Sequence, residues 1–286
     1  MVRYRITHTT DYRYSQPVGL QPHTLRLRPR SDGAQQLLTF EQTITPSPKY
    51  QADLVDVGGD TTTRLWFGEA QLAHLQIQTR AGVETYRTNP FDYWSEPWAV
   101  NFPLDYPSTL AAHLYPYRHD PLDPVIDSRV VALAQEICQE VNDNVGYFLM
   151  ALTQRIYENC KYTVRHTGNP HPAGLTWANQ RGSCRDFAVL FMAACRAVGL
   201  AARFVSGYQA GDPNQQDRDL HAWAEVYVPG GGWRGFDPTL GLAVSDRHIA
   251  LVSGSHALQA SPVSGALTQG GIQTTLTATI TLEAED

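Results

Sequence analysis

Along this chain the hydrophobic pattern passes from alternation to helical spacing and later back to strand-like runs, and that succession fixes the class of fold before any single residue is considered. Tyr4, Ile6, His8, Thr10, Tyr12 and Tyr14 fall on one face of an extended segment, with Arg3, Arg5 and Arg13 on the other. Strand-like runs follow at 25–28, 37–45, 62–67 and 72–79, punctuated by Pro46-Ser47-Pro48 and Gly58-Gly59-Asp60. Residues 1–88 are expected to form an antiparallel β-sandwich whose tyrosines and histidines occupy half-buried sheet positions. From Asp127 the spacing turns helical, with Val130, Val131, Ala134, Ile137, Cys138 and Val141 on one stripe and a second helix expected near 147–157. Residues 127–286 then read as an α+β unit with a C-terminal strand, and the Pro- and aromatic-rich stretch 89–126 as an ordered connector. The Ser- and Gly-rich residues 253–272 are expected to be a long loop.

Chemistry concentrates in the second half. The segment Gln180-Arg181-Gly182-Ser183-Cys184-Arg185-Asp186-Phe187 leads into a helix with Phe187, Ala188, Phe191, Met192, Cys195 and Val198 on its apolar stripe. Ser183 is placed to cap it, Asp186 to complete a capping box, and Gly199 to stop it. Cys184 then holds the first helical position, where unpaired N–H groups and the positive end of the dipole favour an anionic sulfur. Downstream, 202–208 reads as a strand, 211–219 as a polar loop, and His221-Ala222-Trp223-Ala224-Glu225-Val226-Tyr227-Val228 as a second strand. Pro229-Gly230-Gly231-Gly232 turns the chain and 233–237 runs back, so His221 and Asp237 meet at one end of a hairpin that Pro238 terminates.

A thiol, an imidazole and a carboxylate so related are the parts of a nucleophilic triad. Cys184 attacks an acyl carbonyl, His221 moves the proton, and Asp237 orients the ring. The backbone N–H of Cys184 is one oxyanion donor, with Trp177 or Gln180 as candidates for the other side. Tyr208, Trp223 and residues 253–265 are the candidate substrate rim. The chemistry calls for no cofactor. Cys138, Cys160 and Cys195 read as core thiols. His166, His171, His248 and His256 fall in expected loops at spacings that match no compact metal motif, so no metal site is expected.

With 22 basic and 28 acidic residues the net charge of -6 disfavours nonspecific attraction to nucleic acid or anionic membrane. No stretch approaches the roughly 20 apolar residues of a membrane helix, and the four cysteines lack C-x-x-C pairing, which fits a reducing cytoplasm. The expected partner is a peptide or protein substrate. The competing reading is a noncatalytic binding or assembly module that keeps the same fold.

Gly182-Ser183-Cys184-Arg185-Asp186-Phe187-Ala188, His221-Ala222-Trp223-Ala224-Glu225-Val226-Tyr227 and Phe236-Asp237-Pro238-Thr239 resemble the transglutaminase-like cysteine enzyme superfamily. Tyr4-Arg5-Ile6-Thr7-His8-Thr9-Thr10-Asp11-Tyr12-Arg13-Tyr14, Arg26-Leu27-Arg28-Pro29-Arg30 and Asp246-Arg247-His248-Ile249 resemble its bacterial two-region branch. The resemblance implies a papain-like α+β core behind a β-sandwich, with Cys184, His221 and Asp237 at the family's catalytic positions. It leaves peptidase, amidase, deamidating and transamidating activity equally open. The chain departs from the pattern at Ser255-His256-Ala257-Leu258, where members often carry an acidic-aromatic pair, and at Gly58-Gly59, where they often carry Gly-Asn.

Overall fold

The opening alternation becomes one long strand, β1 (Val2–Gly19), with Tyr4, Ile6, His8, Thr10 and Tyr14 buried on the predicted face. The structure is a computed structural model that describes residues 1–120, 122, 124–165, 167–211 and 219–285. β2 (His23–Leu25), β3 (Gln35–Thr45), β4 (Tyr50–Val55), β5 (Thr61–Trp66) and β6 (Gln71–Thr85) complete the first half. Sequence periodicity passes over β4 because five of its six residues are exposed, so the strand has no apolar face. It sits at a sheet edge beside β5.

The connector contains a helix that the sequence does not announce, α1 (Ser108–Arg118), which has only Leu114 buried and carries Pro116. The helical half follows as α2 (Ser128–Glu140), α3 (Val145–Asn159), β7 (Lys161–Tyr162), α4 (Ala173–Asn179), β8 (Arg181–Gly182) and α5 (Cys184–Ala197). Then come β9 (Ala202–Gln209), β10 (His221–Val228), β11 (Gly232–Asp237), β12 (Leu242–Ala243) and β13 (His248–Gly254). β14 (Val263–Ser264) and β15 (Thr274–Glu285) end the chain. The central five strands form an antiparallel sheet in the order β12-β11-β10-β9-β13. Against it lies α5, whose Phe187, Leu190 and Phe191 are almost completely buried. Burying each such side chain contributes about 1.5–3 kcal/mol.

Two four-stranded sheets, β15-β1-β6-β3 and β14-β2-β5-β4, make up the first-half architecture, and both borrow a strand from the C-terminus. This departs from the expected division at residue 127. β15 does form, but it pairs antiparallel with β1 from Arg3↔Glu285 to Tyr14↔Thr274. Its inward side chains Leu276, Ala278 and Ile280 lie opposite Tyr12, Thr10 and His8, which continues the alternating face of β1 across two strands. The expected loop 253–272 is also partly ordered into the end of β13, a short helix Ala257–Ala260, and β14.

One apolar core runs through both halves, from Ile6, Leu75 and Ile77 to Phe148, Phe187 and Phe191. A buried ion cluster reinforces the join. Glu225 of β10 pairs with Arg203 of β9 at 2.6 Å and with Arg30 from the segment between β2 and β3. Burial alone would raise the Glu225 pKa, but the charges of Arg203 and Arg30 outweigh it and hold it down at about 2. Stripping one partner from such a cluster costs about 3–5 kcal/mol. The tie therefore holds a loop of the first half on the strand that carries His221.

Candidate active site

Cys184 occupies the first position of α5, as the capping pattern requires. Asp186 Oδ2 accepts hydrogen bonds from the Ser183 backbone N–H at 2.7 Å and from the Ser183 hydroxyl at 2.8 Å. Its Oδ1 accepts from Arg165 at 2.6 Å and from the His171 backbone N–H at 2.7 Å. With its side chain fully buried and both oxygens used, Asp186 is a structural cap that ties Arg165 and His171 to the start of α5. At the other end Gly199 takes φ +87°, and Leu200 N–H bonds to Cys195 O while Gly199 N–H bonds to Arg196 O. That is a Schellman stop.

His221 opens β10 and Asp237 closes β11, and the antiparallel pairing of these strands brings the two residues to the same end of the hairpin. His221 Nε2 lies 2.6 Å from Asp237 Oδ2. Asp237 is completely buried, and its Oδ1 accepts from the backbone N–H groups of Thr239 at 2.9 Å and Leu240 at 3.3 Å. Since Nε2 is committed to Asp237, Nδ1 is the ring nitrogen left open, and Cys184 lines the same cavity as His221. Burial pulls the His221 pKa down, but the charge of Asp237, its hydrogen bond and the Cys184 contact outweigh burial and raise it to about 10. Burial likewise opposes ionisation of Asp237, and the charge of His221 with the hydrogen bonds from His221 and His248 overcomes it, holding the carboxyl well below the usual range.

His248 is the residue that sequence reading misplaced. It is the first residue of β13, not a loop residue, and its Nε2 lies 3.0 Å from the same Asp237 Oδ2. All seven residues of β13 are buried, and a strand covered on both faces shows no alternation to announce it. An ionised carboxylate can only accept, so both imidazoles donate Nε2–H to it. Burial holds the His248 pKa down, which keeps this ring neutral beside the charged one. His221, Asp237 and His248 place three possible ligand atoms within 4.8 Å of one another, a grouping that sequence spacing did not suggest. As arranged, His221 Nε2 and His248 Nε2 lie 2.6 Å and 3.0 Å from Asp237 Oδ2, and both separations are hydrogen-bond lengths. His171 is half exposed near Asp186 and His256 caps the helix 257–260, so neither joins the group; His166 lies outside the described residues.

Trp223 is 1% exposed, with its ring centroid 6.2 Å from that of His221 and 5.2 Å from that of His248. It backs the two histidines and cannot form a substrate rim. Gly207 makes the room: a Cβ there would sit 2.2 Å from Ile249 O and 2.6 Å from the Trp223 ring. Tyr208, 2% exposed, is likewise no rim residue, because its hydroxyl faces the first half and bonds His8 Nδ1 at 2.9 Å. Trp177 packs against the core and Gln180 is the exposed left-handed cap of α4; neither lines the cavity at Cys184, so neither is placed as an oxyanion donor.

That cavity measures about 640 Å³. Cys184 and His221 lie on one side of it, and the segment 257–263 forms part of the rim, as expected for residues 253–265. The opposite wall comes from the first-half sheet: His8, Thr10 and Tyr12 of β1 with Leu276, Thr277 and Ala278 of β15. His8 and Tyr12, buried and half-buried sheet positions of β1 as expected, also border this cavity. Of the polar loop expected at 211–219, residues 212–218 lie outside the described residues.

Residues 131–238 match the transglutaminase-like superfamily, and residues 4–84 match the bacterial transglutaminase-like N-terminal region. An uncharacterized protein of Mycobacterium tuberculosis is 31% identical over 277 residues, spanning 92% of this chain and 87% of that protein. A protein-glutamine gamma-glutamyltransferase of Pseudomonas aeruginosa is 32% identical over 125 residues, which is 40% of this chain and 19% of that protein. Among solved structures, a candidate cysteine protease from Cytophaga hutchinsonii superposes with a TM-score of 0.76 at 23% identity, covering 100% of this chain and 91% of that one. At that identity the likeness is one of fold.

Proposed function

This chain belongs to the transglutaminase-like superfamily, and from that premise we propose that it is a cysteine-dependent hydrolase or acyltransferase acting on peptide-type amide bonds through a thioester on Cys184. The observation that supports the reading is the His221–Asp237 hydrogen bond at the cavity that Cys184, the first residue of α5, also lines.

In the proposed cycle the Cys184 sulfur, its proton held by His221, adds to the acyl carbonyl. The carbonyl oxygen becomes an oxyanion facing the Cys184 backbone N–H. The intermediate collapses as the C–N bond breaks, and His221 delivers the proton to the leaving amine. Water or a second amine then attacks the thioester, with His221 removing its proton and Cys184 leaving as the thiolate. Asp237 stays ionised throughout, anchored by Thr239 and Leu240 N–H on one oxygen and His248 on the other. Hydrolysis and acyl transfer share every step up to the thioester, and the name carried by the Pseudomonas aeruginosa relative supports including the transfer branch.

All four cysteines are free, and a nucleophilic thiol has to remain reduced, so we place the protein in a reducing compartment. No helix among the described residues is long and apolar enough to cross a membrane.

Trapping the intermediate tests the proposal. Incubation with an activated acyl ester, followed by acid quench and intact-mass measurement, is expected to show one acyl group on Cys184 in the wild type and none in Cys184→Ala. Added amine should then shorten the life of the adduct if transfer competes with water. A wild-type protein that acquires no adduct on Cys184 would instead favour a binding module built on the same fold.

A further inference from the structure

Part of the cavity wall around Cys184 is supplied by β1 together with β15 and residues 257–263, none of which has so far had a part in the chemistry. Resting on the catalytic reading above, the geometry points to this wall as a subsite for an aliphatic or aromatic side chain next to the acyl group of an extended peptide.

Its surface is apolar where it meets solvent. Leu276 of β15 is 37% exposed and Leu258 of the 257–260 helix is 45% exposed, and both line the cavity with Tyr12 and Ala278. Large apolar side chains exposed together around a concave site mark a binding surface more often than chance exposure does.

The polar groups of the wall offer little to a charged substrate. Thr10 Oγ1 lies 3.0 Å from His8 Nε2 and the Tyr208 hydroxyl 2.9 Å from His8 Nδ1, so the three groups satisfy one another. Burial lowers the His8 pKa to about 4, which leaves this wall uncharged. On the near side, Arg185 binds the Gly168 carbonyl at 2.6 Å and the Arg165 carbonyl at 2.8 Å, while Arg165 is held by Asp186. Both guanidinium groups are occupied in shaping the loop at the mouth. A cavity of about 640 Å³ has room for a short peptide segment and not for a folded surface.

The test uses the full-length chain and nitrophenyl esters, on which the thiolate forms an S–C bond, the C–O bond breaks, and nitrophenolate leaves as the measured burst. Acetyl nitrophenyl ester is too small to reach the far wall; acetyl-Xaa-glycyl nitrophenyl esters with Xaa as Leu, Phe, Glu or Lys do reach it. For the wild type, Leu and Phe peptides are expected to acylate Cys184 about tenfold or more faster than Glu and Lys peptides. Leu276→Asp and Leu258→Asp should remove that preference, with circular dichroism and thermal unfolding reporting that the variants are folded. Equal rates across the peptides, or a preference that survives in both variants, would overturn the subsite while a Cys184-dependent acetyl burst left the catalytic reading standing. No acetyl burst from the wild type would remove both.

Discussion

Turnover of any amide or ester substrate by a Cys184→Ala protein is expected to fall by roughly 10⁵- to 10⁶-fold in kcat/KM, about the full contribution of a covalent route. The expectation follows from the position of the sulfur. It lies at the start of α5 and lines the cavity with His221, whereas Cys138, Cys160 and Cys195 are buried thiols that do not line it. The fold should survive, because the cap is built by Ser183 and Asp186 and alanine is a favourable helix residue. Steady-state kinetics together with thermal unfolding would check both halves of this statement. Activity retained within tenfold would place the nucleophile elsewhere.

Asp237→Asn is expected to reduce kcat/KM by about 10⁴-fold without unfolding the chain. Thr239 and Leu240 N–H pin an oxygen at the Oδ1 position, so the new amide nitrogen replaces Oδ2 and faces both histidines. His248 can accept this change by moving its proton to Nδ1, which has no partner among the described residues. His221 cannot do so harmlessly. Once its Nε2 has to accept, its proton moves to Nδ1, the side that must receive the thiol proton, and the ring is held in the wrong tautomer. The pH profile gives the sign. Asp237 is what raises His221 to about 10 against the opposing effect of burial. Acylation by the wild type should therefore persist into alkaline solution and decline only as His221 loses its proton there. In Asp237→Asn the alkaline limb should move toward lower pH, because the counter-charge is gone. An unshifted limb would show that Asp237 does not govern the ionisation of the imidazole.

Local signals carried the centre of this site and non-local ones hid its surroundings. Cys184, His221 and Asp237 were legible because each is marked by chain-local features: a capping box with a glycine stop, and a Gly-rich hairpin ended by proline. His248 was not, because β13 is buried on both faces and its bond to Asp237 depends on pairing with β9. Tyr208 and Trp223 were read as rim residues, yet the Tyr208 hydroxyl turns to His8, and Trp223, on the same face of β10 as His221, packs against His221 and His248. The role of the first half was hidden for a similar reason. β15 shows a clear alternation, but nothing in residues 274–285 states that its partner is β1, so neither the shared sheet nor its contribution to the cavity can be read locally.

Iodoacetamide alkylation at pH 6 addresses the paired state of the sulfur most directly. Burial pushes Cys138 and Cys160 up to about 11 and Cys195 well above the usual thiol range, so these three should stay silent. In the proposed cycle Cys184 is paired with His221, so it is expected to alkylate at least tenfold faster than a free thiol such as glutathione, and to lose that advantage in His221→Gln. Alkylation of Cys184 no faster than glutathione, or at the same rate in His221→Gln, would contradict a thiol made reactive by that imidazole.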